Sequence, residues 1–475
     1  MDEHLPLAAQ KASQDDQDYE EQAHFHQVCR SYQQYATFHQ TIWQGVSHRV
    51  HKLLGGSHGR RHNNSTASCG RTGPTVASIL PAQLTSGTPE NQAMGKEFCN
   101  ATIRNQFFLD TVLRYSGKSD SCFHLMFYNC VPTSQEVLRE TQQNSRRIDW
   151  VTEDQLSKVD SVLKSVARDW SMEGRAERGV IYERMLIALE RYLPLDEKAD
   201  PKRVAVPGSG LGRLAWEIHA KGYTVQGSDF SLPMLLASDF ILNGCAIPDD
   251  NTNSSNGASG HRQFNISPWI AETKNVTSFE NRIRSVTVPD VDPSSIQDQC
   301  HGVGEPPQFS MMAGEFLALY SHFLPEHQNC SHDHKQNSEK FHAIACSFFL
   351  DTAPSLPEYL ITIYHMLEEG GILLHFGPLM YHWSGHGALI PKDLVGNTSM
   401  DDANGRYMSR NAYLDPRYLS NVDFTWEEVR QMIVNTGFEI VEEEMKIPAL
   451  YTSNPNSMME VSYKCVFLVA RKKSR

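Results

Sequence analysis

From about Glu20 to Leu54, apolar residues return every three or four positions, with Phe25, Val28, Tyr32, Tyr35 and Phe38 in series. That period predicts one amphipathic helix or two, the end of a first segment over residues 1–54. From Gly55 to about Gly95 the chain turns to Gly, Ser, Thr, Asn and Pro. So little apolar area cannot offset the entropy of ordering, and a polar insert is expected over 55–99. The helical period resumes from Asn100 to about Asn144, again over Glu153 to Trp170, and in "RAERGVIYERMLIALERYL", giving a helical region over 100–200.

After Pro201 the pattern changes to short apolar runs alternating with helices and glycine turns. This predicts an α/β domain over 201–475 with a mostly parallel sheet and crossover helices. "RVAVPGSGLGRLAWEIHAKG" reads as strand, turn and helix, "YTVQGSDFS" as a strand ending in an acid, and "FHAIACSFFLD" as a third, buried strand also ending in an acid. Helix "LPEYLITIYHMLEEGG" and strand "ILLHFGPL" follow, and the chain closes with helix "TWEEVRQMIVNTG" and the strands "FEIVEEEMKI" and "YKCVFLVARK". The last two suggest a hairpin, which introduces an antiparallel C-terminal strand. Polar stretches near 249–260 and 327–340 read as surface insertions. The one over 384–421 follows a parallel strand, at the edge where such sheets bind ligands, so it reads equally as insertion or lid.

A hydrophobic fraction of 40% and a mean hydropathy of −0.45 agree with long unpacked inserts. The net charge of −13, with no basic cluster, argues against a nucleic-acid partner. The polar, acidic start carries no secretory signal, and no apolar run is long enough to span a bilayer, so no membrane association is expected. A cytoplasmic location follows, with nuclear entry left open. Ten cysteines without paired short spacings suit free thiols in a reducing compartment. Histidine-rich tracts at His58 to His62 and His332 to His334 lack an apolar frame for metal ligands, so no metal site is expected. The N-terminal amphipathic helices leave open whether they cover the sheet domain or pair two chains as a homodimer.

Gly208, Gly210 and Gly212 form G-x-G-x-G between the first strand and its helix. Glycine lets the backbone turn tightly and approach a ligand. A dinucleotide fingerprint would place the last glycine one position later, where Arg213 stands. Alone the motif also fits a structural turn. Asp229 lies 21 positions after Gly208 (229 − 208), at the end of the second strand. A carboxylate there can accept both ribose hydroxyls of an adenosine ligand, and the pair points to a nucleoside cofactor without a pyrophosphate.

"VPGSGLGRLAWEIHAKGYTVQGSDFS" resembles the corresponding stretch of the carnosine N-methyltransferase (N2227-like) family, as do "VARDWSMEGRAER", "VTVPDVDPSS", "FSMMAGEF", "CSFFLDTA", "GPLMYHW" and "SMMEVSYKCVFLVARK". Together these segments span most of 151–472. The resemblance implies a class I methyltransferase fold of the Rossmann-like kind, S-adenosylmethionine as cofactor, and a small histidine-containing peptide such as carnosine as acceptor. It places cofactor contacts on Arg168, Gly208, Asp229, Glu315, Phe316 and Cys346, with Gly210 and Gly212 completing the loop. Arg168 would pair with the methionine carboxylate, Glu315 would accept from the adenine amino group, and Phe316 would cover the adenine face. Asp229 with Phe230 stands for the family's more usual Glu and Trp, and Ser165 replaces a cofactor-binding glutamine. The acceptor site would comprise Asp351 on the substrate ammonium, His382 on one imidazole nitrogen, and Tyr463 closing the pocket. Their plainer readings are a capping acid, a core histidine and a strand tyrosine. Two rival functions stay open at this stage: methylation of a histidine in a larger peptide or protein, and a non-catalytic scaffold.

Overall fold

The computed structural model describes residues 23–56, 80–84, 88–118, 121, 151–196, 199–245, 261–296, 306–325, 340–384, 390–391, 406–407, 421–451 and 454–474. In chain order the helices are α1 (Tyr35–Gly56), α2 (Pro89–Ser116), α3 (Glu153–Trp170), α4 (Arg175–Tyr192), α5 (Arg213–His219), α6 (Leu232–Asp239), α7 (Phe279–Ile283), α8 (Phe316–Tyr320), α9 (Leu356–Met366) and α10 (Trp426–Thr436). The strands are β1 (Arg203–Pro207), β2 (Thr224–Asp229), β3 (Phe264–Ile266), β4 (Val286–Val288), β5 (Phe309–Ala313), β6 (Phe341–Ser347), β7 (Leu367–Gly377), β8 (Ile390–Pro391), β9 (Arg406–Tyr407), β10 (Phe438–Leu450) and β11 (Ser462–Lys472). The chain folds as two compact units.

One unit comprises Met1–Glu173, Asp239–Asp290 and Asn454–Met459. Its described part holds helical residues 23–33, a break at Gln34, then α1, α2, α3 and the antiparallel pair β3–β4. α3 starts where Thr152 and Gln155 cap each other's backbone N–H groups, satisfying donors that a helix start leaves orphaned. Leu156, Val159, Val162, Leu163, Val166 and Trp170 then bury one stripe. A polar seam fixes the register of the rest: Tyr35 donates its hydroxyl to Asp160 (2.8 Å), and the Asn105 amide exchanges hydrogen bonds with both backbone groups of Ser267 (2.6 and 2.9 Å).

The other unit comprises Gly174–Ser238, Val291–Ser453 and Glu460–Arg475. Its seven-stranded sheet has the order β10-β11-β7-β6-β1-β2-β5. Every pairing from β7 through β6, β1 and β2 to β5 is parallel. β11 runs antiparallel to both β7 and β10. This is the expected α/β class, a Rossmann-like, mostly parallel sheet with one antiparallel C-terminal strand. Apolar side chains cover both sheet faces, one with α4 and α5 (Met185, Leu189, Leu214, Ile218) and the other with α9 and α10 (Leu360, Ile363, Val429, Ile433). Burial on both sides explains the near-continuous apolar runs of the central strands.

Several boundaries differ from the sequence-based expectations. The insert expected over 55–99 ends at Thr88, which caps α2 through Asn91 N with Pro89 in the first turn. The helix expected from Asn100 closes at Gly117, and residues 122–150 lie outside the described residues. β5 was missed, so the strand counted third is the fourth along the main sheet's chain path. Leu367–Gly371, assigned to the end of a helix, already belongs to β7: the glycine pair sits at a register shift between Phe341 and Ala343, where a bulge tolerates Gly370 at φ +78°. The domain expected over 201–475 is not one block, because Asp239–Asp290 joins the helical unit while α4 joins the sheet unit. Of the segment 384–421, only its ends and the short pair β8–β9 are described. The insertions at 249–260 and 327–340 (Lys340 apart) and both histidine tracts lie outside the described residues. No described helix is long and apolar enough to cross a membrane.

Candidate active site

Parallel strands present their carboxyl ends at one edge of the sheet, where the chain has to turn and side chains are free to face a ligand. β1 ends before Gly208, β2 at Asp229, β5 before Glu315, β6 before Asp351 and β7 before His382. β11 runs the other way, so its beginning, with Tyr463, lies at the same edge, as does Tyr451 just past the end of β10. The order reverses at β1, which has β2 on one side and β6 on the other. The crevice at that switch point is flanked by the Gly208 turn and the segment Phe348 to Asp351.

Gly208, Gly210 and Gly212 all have positive φ, from 55° to 76°. They are not equivalent. A Cβ on Gly208 would come within 2.6 Å of the Phe349 ring, so its bareness serves packing; one on Gly210 would meet nothing within 4 Å. Gly210 donates its N–H to Asp229 Oδ2 (2.8 Å), while Asp229 Oδ1 accepts from Ser231 N (2.8 Å). The Phe230 N–H is a third donor to this carboxylate, which still leaves it lone-pair capacity for a ligand hydroxyl. Burial pushes the Asp229 carboxyl above its ordinary pKa, against the pull of those N–H donors. Gly314 N donates to Asp229 O and so ties the β5 turn to β2. Beyond that turn Glu315 caps α8 through Ala318 N (3.0 Å) and receives the Tyr359 hydroxyl on its other oxygen (3.1 Å).

A second cluster at this edge centres on Asp351, 2% exposed in the turn after β6. Its Oδ2 accepts from Met380 N (2.9 Å) and its backbone carbonyl from His382 N (3.0 Å), but Oδ1 is buried without a partner among the described residues. Burial raises the carboxyl's pKa, with Met380 N–H and His382 pulling it back. An unpaired acceptor in that setting costs about 1–3 kcal/mol, so a fold that keeps one has a donor to bring to it. The His382 side chain is exposed. Tyr463 is half-buried against Tyr451 (ring centroids 5.6 Å) and Phe348 (6.3 Å), and Phe348 stacks on Tyr451 (5.3 Å). The Tyr463 hydroxyl titrates above its usual range through burial, then Tyr451 and Asp351.

Phe348 and Tyr381 hold φ of 51° and 45°, costly for aromatic residues. Phe348 N donates to Phe376 O (2.8 Å), and Gly377 leaves room beside it: a Cβ there would approach the Phe348 backbone to 3.3 Å. Tyr381 donates its hydroxyl to Phe424 O (2.6 Å), Trp383 Nε1 donates to Thr352 O (2.9 Å), and Ser384 donates to Asp423 (2.5 Å). The strand of chain carrying His382 is thus stitched to the Asp351 turn on one side and to 423–424 on the other.

Three expected cofactor residues sit differently from the rest. Arg168 belongs to the helical unit, and its Nε and Nη2 grip the Asp169 carboxylate (2.7 and 3.0 Å). Phe316 is buried among Tyr320, Phe349 and Tyr359 at centroid distances of 4.6–5.2 Å, so it walls the cleft from inside. Cys346 is fully buried within β6, and burial drives its thiol far above the usual range; it offers a ligand only its backbone. Sequence reasoning overlooked Phe348, Tyr451 and Tyr359. No periodicity announces a left-handed phenylalanine, and the only prior sign of the other two was their closeness to strand and helix ends.

The family model for carnosine N-methyltransferase matches residues 145–474. The rat carnosine N-methyltransferase is 32% identical over 321 residues, 67% of this chain and 63% of that protein. The fission yeast (Schizosaccharomyces pombe) carnosine N-methyltransferase is 31% identical over 322 residues, covering 68% of this chain and 72% of that protein. In Drosophila melanogaster, carnosine N-methyltransferase unmet is 31% identical over 316 residues, 66% of this chain and 55% of that protein. The match thus spans less than two thirds of the rat and fly relatives' length. With a family model aligned from ahead of α3 to the end of β11, the chain belongs to the carnosine N-methyltransferase family.

Proposed function

We propose that this chain transfers the methyl group of S-adenosylmethionine to the imidazole of carnosine, β-alanyl-histidine, giving anserine. The observation that carries the reading is Asp351 Oδ1, unpartnered among the described residues and buried beside Tyr463 and His382 at the sheet edge that also holds Asp229. A primary ammonium is the donor that suits it, because a charge-assisted bond offsets the burial of the carboxylate.

The residues present fit the cofactor: Asp229 keeps lone-pair capacity for a ribose hydroxyl, and Gly210 leaves backbone without a side chain beside it. Glu315 accepts from the adenine amino group, while Phe316 and Cys346 shape the wall. Arg168 is assigned to the methionine carboxylate by the family resemblance alone. When bound, the cofactor supplies a methyl on a sulfonium, open to in-line attack.

Asp351 anchors the dipeptide by its ammonium. Phe348, Tyr451 and Tyr463 flank its ring, and His382 hydrogen-bonds the ring nitrogen farther from the side-chain stem. That bond leaves the nearer nitrogen's lone pair facing the methyl. A neutral imidazole is already a nucleophile, so orientation supplies most of the acceleration. The ring proton leaves through His382, whose exposed side chain passes it to water.

The test is transfer of labelled methyl to carnosine, with free histidine and a histidine-containing tripeptide alongside, for wild type and Asp229→Ala. Transfer to carnosine that the substitution abolishes is expected. Cofactor binding with transfer only to the tripeptide would replace the acceptor, and absence of cofactor binding would leave a scaffold.

A further inference from the structure

Tyr359 lies on α9, away from the sheet-edge turns that supply the other candidate residues, yet its hydroxyl reaches Glu315 Oε1 (3.1 Å). Its ring stacks on Phe349 (centroids 5.3 Å, 24°) and leans on Phe316 (4.6 Å, 47°). Phe349 is the ring against which Gly208 packs. One aromatic stack thereby joins the α8 cap, the glycine turn and α9.

Glu315 has two oxygens to orient. Oε2 is fixed by Ala318 N at the helix start, which alone would leave the carboxylate free to swing about its stem. The Tyr359 hydroxyl supplies the second point, and two points define the carboxylate plane. The remaining lone pairs then have set directions, as recognition of a planar amino group needs.

We infer that Tyr359 is a positioning residue which, by hydrogen-bonding Glu315, sets the site's preference for a purine carrying a 6-amino group. This rests on the reading of Glu315 as the adenine partner. Tyr359→Phe keeps the stacked ring and removes only the bond.

The probes are S-adenosylhomocysteine and its analogue with hydrogen in place of the 6-amino group, titrated calorimetrically into wild type, Tyr359→Phe, Glu315→Ala and the double variant. Wild type should prefer the amino form, and Tyr359→Phe should lose roughly tenfold in affinity for it, the scale of a hydrogen bond to a charged group, while binding the analogue as before. In the Glu315→Ala background the same change should have no further effect. Equal losses on both ligands, or additive losses in the double variant, would overturn the inference and leave Tyr359 a packing residue. If wild type binds neither ligand, the cofactor reading fails first; if it binds both alike, Glu315 is not the adenine partner.

Discussion

Replacing Asp351 by Asn should make the protein more stable and far less active. The carboxylate is 2% exposed, holds the Met380 N–H, and leaves Oδ1 unpaired among the described residues. Its pKa in the folded chain is raised above the ordinary carboxyl value of 3.8, chiefly by burial. A carboxyl raised in this way binds protons more tightly folded than unfolded, so its ionisation subtracts stability. The penalty is absent below about 3.8 and grows as pH rises through the folded-state value. Asn keeps an oxygen for Met380 N–H and removes the charge. The desolvation relieved, about 1–3 kcal/mol, less the weakened bond from Met380, leaves a net gain of about 1 kcal/mol at neutral pH. For a domain of this size that raises Tm by ~2 °C. The same substitution takes away the partner of the substrate ammonium, and kcat/KM for carnosine should fall roughly a hundredfold. Melting curves from pH 4 to 8 and initial rates with carnosine read both quantities. A variant less stable than wild type at pH 8, or one that keeps its kcat/KM within a few-fold, would refute the reasoning.

The glycine turn separates packing from ligand space. Gly208→Ala should cost about 2–4 kcal/mol, from positive φ plus overlap with Phe349, whereas Gly210→Ala should cost only about 1–2 kcal/mol yet weaken S-adenosylhomocysteine binding more than tenfold, by melting and calorimetry. His382→Ala keeps the backbone N–H on Asp351 and removes an exposed ring, so kcat/KM should drop about a hundredfold with Tm unchanged; full activity would remove His382 from the mechanism. His375 is fully buried on β7 against Trp426, both ring nitrogens unpartnered among the described residues, and burial lowers its pKa from 6.5 to about 4. A depressed folded value means stability present above 6.5 and lost as pH falls towards 4, on the order of 3 kcal/mol. His375→Leu should flatten that slope in acid titrations of unfolding.

The sheet was legible because strands buried on both faces write uninterrupted apolar runs, and Asp229 was legible because a strand-end acid followed a glycine turn at a fixed interval. β5 escaped notice because Phe309–Ala313 is mostly half-exposed at the sheet's edge, so no run stands out. The start of α2 was written in Thr88-Pro89, a capping residue followed by proline, but averaging composition over a long window hid it. At the site, Asp229 and Asp351 stood out as acids at strand ends, whereas Glu315 and His382 were named only through the family resemblance. Phe348 was found by neither route, since its importance comes from a backbone conformation imposed by Gly377 and the Phe376 carbonyl, partners nearly thirty residues on. Phe316 and Cys346 were found as residues but not as buried ones, since sequence position fixes the turn and packing decides which way a side chain faces.

The stitching of Tyr381 to Phe424 and of Ser384 to Asp423 closes a neck around residues 385–420. Once the two ends of a segment are pinned together, its length enters the free energy only as a logarithm, and doubling it costs about 0.6 kcal/mol. The geometry of the Asp351 turn and of the stretch carrying His382 is therefore held by bonds at the neck itself, those of Tyr381, Trp383 and Ser384. What would release His382 from the Asp351 turn is the loss of these few bonds, not a change in how much chain lies between them.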